Sequence, residues 1–272
     1  MSSSEGNRVW RVESAKGPLA LKRYAMRNSP VADAVRSTLT WLWRRKSSPT
    51  ARGRRHAEFT LLRHWRQLGY DVPRVWKPEE LGLGDANTLL IEWIDGPTLL
   101  DLVRRKANTP PEQRHALLRK LGDEMGRRHE RALADNDPAL IQEHGSAAHV
   151  FVSEQGGSQR LVRFDHEQAF LPGQDVLPLI TKEVAATLRS LAKKTDPSGF
   201  DDDLAAWVAG YNAPDLLRAL VDEAFHSDSL ARRCLWWLDR AFSRRQKSPH
   251  KFDVLDALRA LSVSPPQPAR AA

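Results

Sequence analysis

The chain has 272 residues, 41% of them hydrophobic, and 42 Lys and Arg against 34 Asp and Glu give it a formal charge of +8. That length and apolar content suffice for a good core in one large domain or two lobes, and the positive balance favours anionic partners: phosphorylated substrates, nucleic acid or an acidic membrane surface. No run approaches the roughly 20 apolar residues of a membrane span, Met1-Ser2-Ser3-Ser4-Glu5-Gly6 lacks the apolar core of a secretory signal, and a single cysteine, Cys234, rules out an internal disulfide or Cys-rich zinc site; the expected compartment is the cytoplasm.

Asn7 to Glu13 alternates with Val9 and Val12 around Trp10, Ser14 to Pro18 supplies a turn, and Leu19 to Tyr24 is a second strand, so the chain opens on a hairpin. Lys22 directly follows Leu19-Ala20-Leu21, the pattern of a strand delivering one lysine to a phosphate site, although a lysine ending a strand is commonly a solvated edge. The Gly-rich loop usual before such a strand is missing, with Gly6 as the one glycine nearby. Val31, Val35, Leu39, Leu42 and Trp43 have helical spacing and are followed by Arg44-Arg45-Lys46. A basic amphipathic helix at about 30–46 is therefore expected, suited to an anionic membrane surface or to packing on the body of the protein. Ala57, Leu61, Leu62 and Trp65 mark a helix from Gly53 to Leu68 that Gly69 ends, with Glu58 early on it and an extended segment at Asp71-Val72-Pro73. Glu58 is placed to hold Lys22, or else is a surface charge beside Arg54 and Arg55.

Thr88 to Ile94 is a buried strand broken by Asp95-Gly96-Pro97 before a helix from Thr98 to Val103. Strand, turn and helix make a hinge, and the backbone at Glu92, Trp93 and Ile94 is where an adenine would dock. A long helix from Pro110-Pro111 carries Leu117, Leu118, Leu121, Met125 and His129. Next come two short apolar runs, Val150 to Ser153 and Leu161 to Phe164, joined by a polar loop from Glu154 to Arg160 with Gly156-Gly157. A hairpin there brings His149, at the entrance of one strand, to Asp165, at the exit of the other. The two could aim at one metal ion, as phosphoryl transfer requires; the competing reading is a structural histidine and a turn aspartate. Further helices are expected at Leu177 to Lys194, Leu204 to Val208, Leu216 to Phe225 and Leu230 to Phe242, with a disordered tail from Ser264. Strands first and helices later argue for an α+β fold with unequal lobes: residues 1–95, then a mostly helical lobe over 96–263 that includes the hairpin at 142–167.

Lys22-Arg23-Tyr24, Glu58 with Gly69-Tyr70-Asp71-Val72-Pro73, Glu92-Trp93-Ile94-Asp95-Gly96, His149-Val150-Phe151-Val152 and Arg163-Phe164-Asp165-His166-Glu167, in this order, resemble the lipopolysaccharide core heptose and Kdo kinases, a bacterial family with a protein-kinase-like fold. The resemblance covers roughly residues 7–212 and includes Arg189-Ser190-Leu191, Asp201-Asp202-Asp203 and Tyr211. It implies a bilobal fold, with a small antiparallel sheet and one main helix in the first lobe and a larger helical second lobe. It also implies ATP, Mg²⁺ and a glycolipid acceptor at the cytoplasmic face of the inner membrane, whose anionic surface the basic helix at about 30–46 would contact peripherally. On this reading Lys22 meets the phosphates, Glu58 holds Lys22, and His149 and Asp165 hold the metal. The catalytic loop departs from the kinase pattern HxDxxxxN. His149 takes the Asn position, and counting back five places puts His144 where the base Asp belongs. His144 is the base candidate, an imidazole able to accept a proton near neutral pH; Glu143 and Asp137 are the alternatives. The expected activity is ATP-dependent phosphorylation of a sugar of lipopolysaccharide core or a related glycolipid. A pseudokinase that binds nucleotide or glycolipid without turnover is the second reading. A basic nucleic-acid binder is a weaker third, since no nucleic-acid-binding motif accompanies the charge.

Overall fold

The computed structural model describes residues 7–25, 45–82, 86–105, 107–155, 157–225 and 251–263. The expected helix at about 30–46, apart from Arg45 and Lys46, lies outside the described residues, as do the helix at 230–242, Cys234 and the tail from 264. The fold class is α+β, as expected: a four-stranded antiparallel sheet with one long helix comes first, and a mostly helical part follows. The chain forms two compact units, one of residues 1–97, 138–143 and 149–174, the other of residues 98–137, 144–148 and 175–272.

In the first unit β1 (Arg8–Ser14) and β2 (Gly17–Arg23) make the expected hairpin, β4 (Thr88–Glu92) pairs with β2, and the two-residue β3 (Val75–Trp76) closes the order β1-β2-β4-β3. The register sets Lys22 opposite Leu89, one pair from the end of the β2–β4 ladder. Helix α1 (Ala51–Gln67) starts at Thr50, whose hydroxyl accepts from the Gly53 N–H, a standard N-cap. Its inward stripe includes Ala51, Ala57, Leu61, Leu62 and Trp65, but also Arg54 and Glu58. Two charges on a core-facing stripe must find partners, because an isolated buried charge costs several kcal/mol.

Strands β5 (Val150–Gln155) and β6 (Ser158–Arg163) pair from Val150–Arg163 to Gln155–Ser158. The expected seven-residue loop is thus mostly ladder: Glu154–Gln159 and Ser153–Arg160 continue the pairing, since a ladder tolerates polar side chains on its exposed stretch. The hairpin was also expected in the helical lobe, whereas its contacts group it with the sheet. The Val152 N–H donates to Pro97 O at 2.9 Å and the Arg163 N–H to Asp71 O at 3.0 Å. Gly96, at φ 135°, lies so near β5 that a Cβ on it would stand 2.2 Å from Val152 O.

The second unit holds α2 (Leu99–Val103), α3 (Pro111–Ala134), α4 (Val176–Ala192), α5 (Phe200–Tyr211), α6 (Pro214–Phe225) and α7 (Lys251–Val263). Glycines let α3 and α5 meet backbone to backbone: a Cβ on Gly126 would stand 2.1 Å from Tyr211 O, and one on Gly210 1.9 Å from Arg119 O. Where α3, α4 and α5 converge, Arg128 donates to both Glu183 oxygens at 2.6 and 3.0 Å and to Glu124 at 3.0 Å. His129 fills the remaining space, Nε2 3.2 Å from Glu183 and Nδ1 2.8 Å from the Tyr211 hydroxyl. Burial opposes ionisation of Glu183, but Arg128 and His129 outweigh it and hold the carboxyl far below the usual range. Burial and the Arg128 charge keep His129 neutral. An ionised Glu183 only accepts, so the His129 proton sits on Nε2 and Nδ1 accepts from Tyr211.

Candidate active site

The site in the first unit starts from the period of β2. Lys22 and Tyr24 lie two residues apart and share one face of the sheet, while Glu58 is on the inward stripe of α1. Lys22 Nζ is 2.7 Å from Glu58 Oε2, and the Tyr24 hydroxyl hydrogen-bonds the same oxygen. Glu58 is 1% exposed and Lys22 8%, so the ion pair is buried.

Asp165 and Glu167 come from the chain just past β6. Asp165 adopts φ 66°, a left-handed conformation that Asp tolerates better than most residues and that recurs at functional sites. Its Oδ1 lies 2.9 Å from Lys22 Nζ, and Glu167 Oε1 lies 3.1 Å from the same nitrogen. Arg54 Nη1 bridges Glu167 Oε2 at 2.8 Å and Asn7 Oδ1 at 2.9 Å, and the Asn7 amide also meets Glu167. His149 Nε2 stands 3.6 Å from Asp165 Oδ2, its ring edge-on to Phe164. Three carboxylates thus face two fixed cations, Lys22 and Arg54. The cluster is also open: the Asp165 side chain is 30% exposed and that of His149 26%.

Burial alone would discharge Lys22, yet Glu58, Asp165 and Glu167 outweigh it and raise its pKa well above the ordinary lysine value. Burial would likewise push Asp165 up, but Lys22 and His149 hold it at about 2, below the usual 3.8. Glu58 is pushed up, first by burial and then by Asp165, against the pull of Lys22. The directions for Glu58 and Lys22 pull the pair opposite ways. A carboxylate oxygen that accepts from both an ammonium and a phenol is best served ionised, so the geometry supports the ion-pair form.

Of the residues expected from sequence, Lys22, Glu58, His149 and Asp165 are brought together. Glu92, Trp93 and Ile94 follow at the end of β4, where their side chains serve local structure: Glu92 Oε2 accepts the Arg74 N–H at 2.9 Å and Trp93 Nε1 donates to Asp95 at 2.8 Å. His144, with an exposed side chain, and Asp137 belong to the second unit. Glu143 belongs to the first, where its carboxylate is engaged by Lys46. Sequence reasoning passed over Glu167, Arg54, Tyr24 and Asn7. A signal existed for two of them: Arg54 precedes Glu58 by one helical turn on an otherwise apolar stripe, and Glu167 lies two places after Asp165.

One oxygen each of Glu58, Asp165 and Glu167 lie within 4.8 Å of one another. Such hard oxygen donors fit Mg²⁺. Glu58 is bound to Lys22 and Tyr24 and Glu167 is held by Lys22, Arg54 and Asn7, so Asp165, the most exposed of the three, is the carboxylate best able to hold the ion, with His149 alongside. No model of a protein family matches the chain, and no curated protein matches it. Among solved structures it is similar to WaaP in complex with acyl carrier protein, at 14% identity over 90% of this chain and 87% of that one, TM-score 0.48. It is also similar to the Rio2 kinase complex with ADP/Mg²⁺ and phosphoaspartate from Chaetomium thermophilum, at 15% identity over 96% and 69%, TM-score 0.42. The kinase domain of PknI from Mycobacterium tuberculosis is similar at 16% identity over 96% and 93%, TM-score 0.43.

Proposed function

We propose that this protein is an ATP-dependent phosphotransferase. The observation that carries the reading is the buried Lys22–Glu58 pair with Asp165 2.9 Å from the same ammonium. When bound, ATP supplies the phosphoryl group and Mg²⁺ neutralises the phosphates, while the protein contributes position and charge. Glu58, held in turn by Tyr24, fixes the lysine, and phosphate oxygens would take the places of Asp165 and Glu167 on its other two protons. Asp165, held ionised at neutral pH, presents an acceptor-only carboxylate to the ion, and Glu167 braces Lys22 and Arg54 beside it. The backbone at the end of β4, Glu92 to Ile94, is the adenine edge. The acceptor, a sugar hydroxyl of lipopolysaccharide core or a related glycolipid, follows from the sequence resemblance, as does peripheral residence at the cytoplasmic face of the inner membrane. No described helix is long and apolar enough to cross a membrane.

His144 is the proposed base. Turnover measured with ATP and purified core glycolipid should fall roughly 10² to 10⁴-fold in His144→Ala, with nucleotide affinity nearly unchanged. Full activity in that variant would remove His144 from the role. One observation favours the pseudokinase reading: Glu143, an alternative base, is already engaged by Lys46. Nucleotide binding without turnover on several core acceptors would establish that second reading.

A further inference from the structure

A groove lined by three arginines lies in the first unit, away from the Lys22 cluster. The C-terminal half of α1 and the edge strand β3 line an open groove of about 440 Å³, with Leu62, Val75 and Trp76 as its apolar lining and Arg63, Arg66 and Arg74 as its charged one. Gln67 completes the lining, and no acidic residue contributes to it. The sheet order β1-β2-β4-β3 sets β4 between this groove's strand and the strand of Lys22, so those two strands lie two spacings of about 4.8 Å apart.

The charges around the groove are exposed. Among the described residues no ion pair joins the Arg63, Arg66 or Arg74 guanidinium to a carboxylate, while Glu92 Oε2 accepts the Arg74 backbone N–H at 2.9 Å. Arg66 donates one N–H to Val72 O at 3.1 Å, which fixes the base of its fork, and Arg63 lies over the Phe59 ring at 5.4 Å. Lys77 stands over that same ring, and Lys16 over the Trp76 ring at 5.5 Å, so further positive charge surrounds the groove. A carboxylate is satisfied by one bidentate guanidinium, whereas a phosphate monoester has three terminal oxygens and can accept from several at once. The apolar lining and the volume, in the range of small-ligand pockets, leave room for a compact carbon group beside the phosphate.

We propose that the α1–β3 groove binds a phosphate ester, its phosphate on Arg63, Arg66 and Arg74 and its carbon part on Leu62, Val75 and Trp76. The ester could be free in solution or the headgroup of a membrane lipid, and the experiment separates the two. Binding is measured by calorimetry with glycerol 3-phosphate and by sedimentation with phosphatidylcholine vesicles with and without phosphatidylglycerol. The variants are Arg63→Glu/Arg74→Glu and, as a control with the same change of net charge at exposed positions elsewhere, Arg52→Glu/Arg119→Glu. The groove variant should lose affinity at least about tenfold and the control less than about twofold, a difference that screening of net charge alone cannot produce. Glycerol 3-phosphate binding without vesicle binding assigns a soluble ester, and binding to anionic vesicles assigns a lipid headgroup. In the unmutated protein the bound probe should shield Arg63 and Arg74 from phenylglyoxal, read by mass spectrometry, a test that does not depend on a variant folding. Equal losses in both variants, unshielded arginines, or an acidic peptide binding where neither phosphate probe does would overturn the proposal.

Discussion

Each unit buries an ionic network, and the two are closed in different ways. Around Arg128 and Glu183 both side chains are fully buried, every strong donor meets an acceptor, and His129 stays neutral, so nothing is left to offer a ligand. Around Lys22 the chemistry is the same but the closure is incomplete. Three carboxylates face two fixed cations, Asp165 is 30% exposed, and its backbone is in a left-handed conformation. The sealed network is what three packed helices need to fix their register; the open one has unspent acceptor capacity and an exit to solvent. Burial of charge therefore does not mark a site by itself, whereas an excess of one sign at an accessible edge does.

The largest expected effect breaks the sealed network. Glu183→Ala leaves Arg128 buried without its main partner and should cost about 3–5 kcal/mol in urea unfolding, the range for removing one member of a buried ion pair. A loss under about 1 kcal/mol would mean that water reaches Arg128. In the open network the larger loss should be functional. Glu167→Gln should weaken Mg²⁺-dependent nucleotide affinity about 10–100-fold, the usual effect of disturbing a group that supports a metal site, as read by calorimetry. Unchanged affinity would reduce Glu167 to a structural brace for Arg54.

The acid limb of stability compares the networks directly. Asp165 is depressed, so the stability it contributes is present above its unfolded value of 3.8 and is lost as pH falls through about 2. The contribution is about 2 kcal/mol, and Asp165→Asn should lose it at neutral pH and flatten the stability curve between about pH 4 and 2. Glu183 is depressed in the same direction, so Glu183→Gln should also flatten the acid limb. Unaltered limbs in both variants would contradict the assigned ionisation states. The smallest effect belongs to a pair that neither network includes. Arg160 and Asp71 form an ion pair with side chains 32% and 44% exposed, and Arg160→Ala should change stability by less than about 1 kcal/mol.

The strands and the long helices were legible because period and punctuation agree there: Lys22 closes an apolar run, Gly69 ends α1, and Pro111 starts α3. Lys22, Glu58, His149 and Asp165 were legible as a set through their order along the chain. The length of the β5–β6 ladder was not, because Ser153 to Gln155 and Ser158 to Arg160 carry loop-like side chains on paired backbone. The α3–α5 seam was missed since glycines at 122, 126 and 210 read as weak helix formers until the opposing backbone is seen. His129 fell on the apolar stripe of α3 and was counted as core; its partners Glu183 and Tyr211 lie 54 and 82 positions away, beyond any local pattern. Val75–Trp76 is too short to show a period, and α7 was passed over after the helices before it.

The most direct test of the Lys22 site is calorimetric titration of a non-hydrolysable ATP analogue, with and without Mg²⁺, into the unmutated protein and into Lys22→Ala and Asp165→Ala. The expected result is Mg²⁺-dependent binding in the unmutated protein that disappears in both variants while their circular dichroism is retained. Mg²⁺-dependent binding of equal strength in all three proteins would contradict the assignment of this cluster as the nucleotide site.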